Sequence, residues 1–183
     1  MKLLISLLTL ALLAGCASLA GPKVNDAEDN LMQANYGAVD QLLQGNAMVR
    51  TLNKHQPIIV ASLVNIDDLN SSRLGRMLSE QLATRLTKSG FSVVELKLRD
   101  SIFVKQLQGE LLLSREIKDI TLSHRAQAVL VGTYAVSNGR VYITVKLVGM
   151  GDNLVIAAHD YVLPLNSNVR SLLWNNVNHA VSQ

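Results

Sequence analysis

The chain has a single cysteine among its 183 residues. A lone thiol excludes an internal disulfide and any Cys-rich metal centre. Glycine and proline are sparse, at 11 and 3, which excludes a collagen-like or low-complexity chain. Charge of one sign is also scarce: charged residues make up 17% and the formal net charge is only +3. The sequence pI near 9.1 therefore reflects a small excess of base and does not mark a nucleic-acid binder. No apolar run is long enough to span a bilayer, which takes about 20 residues. What is present is a 49% hydrophobic composition, too apolar for a disordered chain. The length fits one domain.

Residues 1–16 read MKLLISLLTLALLAGC. Lys2 supplies a positive charge, residues 3–13 form a short apolar stretch, and polar sequence follows at once. This is the pattern of a secretory signal peptide. Leu13-Ala14-Gly15-Cys16 resembles the lipobox of bacterial lipoproteins. In that class the cysteine receives a diacylglycerol thioether, the chain is cut before it, and the new amine is acylated. Cys16 is thus the expected lipidation site; the alternative is an incidental cysteine behind an ordinary signal. Three acyl chains anchor firmly, since each buried CH₂ contributes about 0.8 kcal/mol. By resemblance to Gram-negative lipoproteins, the lack of Asp at position 17 points to the outer membrane, on its periplasmic face. Cleavage removes Lys2 and no acid, so 17 basic residues become 16 against 14 acidic ones. An exported, near-neutral chain is a poor candidate for binding nucleic acid.

Three segments are expected: a signal at 1–15, a lipidated tether at 16–26, and a single domain at 27–183. The ten residues 17–26 extend at most about 35 Å. Residues 27–45 fit a helix with Asp26 as cap and Gly45 as stop. Residues 57–65, apolar on both faces, fit a covered central strand. Leu74, Met77, Leu78, Leu82 and Leu86 predict a helix over 73–89, with Gly90 just beyond. Residues 91–98 fit a second strand, completing a strand–helix–strand crossover. Residues 101–109 fit a short helix, and 114–124 another. Three strands follow at 128–136, 141–150 and 154–163. Asn138-Gly139 favours a type I′ hairpin between the first two. A last helix covers 166–181. The fold class is α/β (α+β): a mixed five-stranded sheet with a C-terminal antiparallel meander and helices packed on it.

Chemistry is harder to find. His55, His124, His159 and His179 show no metal-binding spacing, and no nucleophile or phosphate motif is present. Asp67-Asp68 reads as turn and cap, and His159-Asp160 lies mid-strand, where neighbours face opposite sides. The expectation is a protein that is not an enzyme and holds neither cofactor nor metal. Two features bear on binding. Arg73, Arg76, Arg85 and Lys88 share a helix with Glu80; a solvated face accounts for them, and a docking surface is the alternative. Trp174, the only tryptophan, lies off the main apolar face of the last helix, as a core residue or as an interface anchor.

Residues 57–67 (PIIVASLVNID), 70–76 (NSSRLGR), 78–82 (LSEQL) and 128–134 (AVLVGTY) resemble the FlgO family of flagellar outer-membrane lipoproteins. The resemblance spans about residues 40–165. The V-G-T-Y strand at 131–134 also looks like the amino-terminal domain of TolB, the curli secretion lipoprotein and the outer-membrane activators of peptidoglycan synthases. The FlgO resemblance implies a non-catalytic lipoprotein that helps form or anchor a ring around the flagellar basal body. Its partners would then be the outer membrane, other basal-body proteins and further copies of itself. A regulator of a cell-wall synthesis or secretion machine is the alternative.

Overall fold

The computed structural model describes residues 31–45, 47–96, 103–105, 111–113, 119 and 122–173. The chain enters through helix α1, Leu31–Gln44, and a single turn α2, Ala47–Arg50. Strands β1, Ile58–Ala61, and β2, Val64–Asn65, come next. Helix α3, Arg73–Lys88, leads to β3, Val93–Leu96. Strands β4, Phe103–Lys105, and β5, Leu111–Leu113, pair with each other. The meander is β6, Ala128–Ser137, β7, Arg140–Gly149, and β8, Val155–Pro164. Helix α4, Ser167–Leu173, follows.

The main sheet runs β3-β1-β6-β7-β8, with β2 also paired to β6. Its β3, β1 and β6 strands are parallel, as a strand–helix–strand crossover requires; β6, β7 and β8 are antiparallel. The mixed sheet and terminal meander match the expectation from sequence. The sixth strand arises because residues 57–65 form two short strands broken at Ser62-Leu63. The cause lies in α3. A Cβ on Gly75 would sit 2.0 Å from the Leu63 carbonyl oxygen, so α3 is seated hard against the chain at the break. The Asn138-Gly139 hairpin forms as expected, with both residues at positive φ (49° and 72°).

One expectation fails. Residues 103–105, placed in a short helix over 101–109, are a β-strand in a hairpin with 111–113. Phe103-Val104 and the Leu111–Leu113 run are short apolar segments whose period cannot separate helix from strand, and strand pairing decides them. In the helix expected over 114–124, Asp119, Leu122 and Ser123 are helical, His124 is in a turn, and the rest lies outside the described residues. The cap at Asp26 lies outside them too.

Helices α1 and α3 pack on one face of the sheet. There Ala38, Val39, Leu42, Leu74, Leu78, Leu82 and Leu86 meet Ile58, Val60, Leu130, Ile143, Val145 and Leu147 in one core. The other face holds a smaller cluster at its parallel end: Ile59, Ala61, Val64, Leu69, Val129, Val131 and Val148. Cross-strand register therefore assigns Val129, Val131 and Thr133 to this second face, with Val148, Lys146 and Thr144 beside them.

Candidate functional site: two surfaces and a crevice

Helix α3 begins at Ser72, whose Oγ accepts from the Gly75 amide at 2.9 Å while the Tyr134 hydroxyl donates to Ser72 at 2.6 Å. The cap is thus tied to the sheet, and Arg73 and Arg76 leave from its first turn. The structure sends them different ways. Arg73 Nη1 donates to the Ser171 carbonyl at 3.5 Å, joining α3 to α4. Arg76 lines a crevice with Val60, Ser62, Ser79, Glu80, Glu95 and Leu96.

That crevice opens at the carboxyl ends of the adjacent parallel strands β1 and β3, where open α/β sheets hold their ligands. Its cavity volume is about 10 Å³, room for about one water molecule. Small-molecule sites usually offer 300–1,000 Å³, so this cleft is undersized, and two carboxylates share it with one guanidinium. Ser79 Oγ is spent on the Arg76 carbonyl.

The other cations of α3 are engaged within the molecule. Arg85 makes two 2.8 Å hydrogen bonds to Asp40 of α1, and that pairing raises the guanidinium above its ordinary value. Lys88 Nζ sits 5.0 Å from the centre of the Tyr36 ring. Both residues clasp α1, so only the Arg73–Arg76 end of α3 resembles an outward basic face.

Asp67 and Asp68 belong to a tight turn. The Asp67 amide donates to Asn65 Oδ1 at 3.0 Å, and Asp68 Oδ1 accepts from the Asn70 amide at 2.9 Å. Leu69, buried within this turn, adopts φ 59°. His159 and Asp160 point to opposite faces; His159 stacks on Tyr161 with ring centres 6.2 Å apart. The Tyr161 hydroxyl donates to the buried Asn35, which donates in turn to Gln81. Burial lifts the Tyr161 hydroxyl well above the usual tyrosine value. Among the described residues, no three His, Cys, Asp or Glu side chains gather where they could hold a metal ion. Also among them, no helix is long and apolar enough to cross a membrane. Cys16 and Trp174 lie outside the described residues.

A second surface escaped the reading of the sequence. On the face of the sheet away from α1 and α3, register aligns Ala135 with Tyr142 and Tyr142 with Val162. Ile66 joins this row, its amide donating to the Tyr134 carbonyl at 2.9 Å. Ile66, Tyr142 and Val162 are 43%, 47% and 43% exposed, an apolar stripe lying open across the sheet. Alternation in β7 (Tyr142, Thr144, Lys146) signals an outward face, but only pairing shows that Ile66 and Val162 extend it.

Comparison with known proteins now decides the family. The model of the FlgO protein family matches residues 36–168, from within α1 to the start of α4. The chain belongs to the FlgO family. No curated relative matches it. Its fold is similar to that of the LpoB C-terminal domain from Salmonella enterica: TM-score 0.54, 17% identity, 74% of this chain and 98% of that one. The LpoB C-terminal domain from Escherichia coli gives TM-score 0.54 and 15% identity over 73% and 98%. At these identities the likeness is one of fold. It places the FlgO-family sheet and its helices in the same architecture as the LpoB domain.

Proposed function

We propose that this FlgO-family protein is an outer-membrane lipoprotein that works as a structural component of the flagellar basal body, in a ring or as an anchor, and supports motility. The observation that carries this reading is the family match, which takes in nearly all of the described fold. The lipobox at Cys16 supports the membrane anchor, and the short tether holds the domain close to the bilayer. The undersized crevice, with Ser79 Oγ held on the Arg76 carbonyl, supports a role in binding and position.

The test is a clean deletion, scored for swimming and for cell-wall synthesis. This account expects swimming to fall while wall synthesis stays normal. Normal swimming with a wall defect would transfer the reading to a regulator of a cell-wall machine.

A further inference from the structure

From the open face of the meander we infer a self-association surface: a second copy of this chain packs face to face on β6, β7 and β8. This rests on the reading of the protein as part of an assembly that includes its own copies, and adds the face through which they meet. Three observations support it. First, the face carries the exposed Ile66, Tyr142 and Val162 in one row with the half-buried Ala135, which leaves apolar surface in water across the meander. Second, the neighbouring rows are self-complementary in charge. Lys146 stands beside Ala158 and Asp160 beside Thr144, so the two charges lie diagonally on adjacent strands of one face. A two-fold axis running between them in the plane of contact sets Lys146 of each copy over Asp160 of the other. A face of one sign would repel its own copy; this one carries both, Lys146 and Arg140 against Asp160.

Third, the edge of the sheet disfavours the competing mode, in which a strand is added to β8. The Leu165 amide donates to the Gly139 carbonyl, so strand alternation turns the position of Pro164 outward, where it has no N–H to offer. Asp160 is exposed on the same strand. An outward proline and a charge blunt an edge. With the β8 edge blunted, association at the meander is favoured through its face.

Its size sets the strength. Three ten-residue strands bound a surface of roughly 33 Å by 14 Å, on the order of 500 Å², and the open part is smaller because Val129, Val131 and Val148 at its parallel end are already buried; a standard interface takes about 800 Å² per partner. The pair is weak in dilute solution and forms when a membrane concentrates the copies. The experiment therefore uses the full chain in its own cells. Thr144→Cys places a thiol at the centre of the face, and Thr84→Cys places one on exposed α3 as control; both are treated with a short bismaleimide beside the unaltered chain. The expected result is a cross-linked homodimer from Thr144→Cys at ten-fold or more the yield of Thr84→Cys. Within Thr144→Cys, Lys146→Asp or Asp160→Lys alone lowers the yield at least five-fold, and the two together restore it. Protease resistance of each variant shows that the fold is kept. Equal yields at 144 and 84, a cross-link at 144 to a different protein, or no rescue by the double reversal would overturn the inference. Normal motility after deletion would remove the assembly role while leaving a positive cross-link intact, so the two failures are distinguishable.

Discussion

At the scale of single residues, the strongest demands come from close approach and burial. Gly75 is such a case. Any side chain there would drive into the Leu63 carbonyl at 2.0 Å, and backbone on both sides leaves little to yield. Gly75→Ala should cost about 3 kcal/mol by urea unfolding, as overpacking does. Gly37, also in a helix, meets nothing within 4 Å. Gly37→Ala should stabilise by roughly 0.8–1 kcal/mol through helix propensity. Opposite signs for one substitution check that contact, and not residue type, sets the outcome. Tyr161 makes a prediction in pH. Burial raises its hydroxyl, and that of Tyr134, above the value of about 10 that both take in the unfolded chain. Above pH 10 the unfolded chain releases protons that the folded chain keeps, so stability present below pH 10 falls as pH rises through the folded values. Tyr161→Phe should flatten that alkaline decline, read as the urea midpoint from pH 8 to 11; an unchanged slope would contradict it.

At the scale of elements, legibility followed locality. The meander could be read directly, because Asn138-Gly139 fixes the turn and alternation then assigns each face over ten residues. Helix α3 was equally plain, since its apolar residues repeat at helical spacing and Ser72 caps it. The break between β1 and β2 was not legible. It depends on Gly75, twelve residues from Leu63 in sequence, and no local pattern around Ser62 signals it. The β4–β5 hairpin was misread for a related reason: each strand has three residues, too few to show a period. Of the candidate site residues, Arg73 and Arg76 fall on one helix end as expected, yet their separate roles depend on where α4 and β3 come to lie. The docking of α1 is likewise tertiary. It combines the burial of Ala38, Val39 and Leu42 with a polar link from Tyr161 through Asn35 to Gln81. Asn35 is completely buried, so Asn35→Ala leaves two partners unsatisfied and should cost about 2 kcal/mol. The urea midpoint should fall with the slope unchanged; no shift would show that α1 is held by its apolar face alone.

At the scale of the whole molecule, the fold reads as a module held in place. Helices α1 and α3 cover one face of the sheet. The opposite face, at the meander, is the one left open. In the proposed reading, a lipid anchor at Cys16 together with this open face suits a component that sits between a membrane and an assembly. The anchor is tested by Cys16→Ser, which should remove the protein from the outer-membrane fraction and reduce swimming to the level of the deletion. The most direct measurement of the central claim is electron cryo-tomography of flagellar basal bodies in cells with and without this protein. The account predicts that averaged basal bodies lose density at the outer membrane when the protein is absent and regain it on complementation. Averages that superpose at the outer membrane in both strains would contradict it.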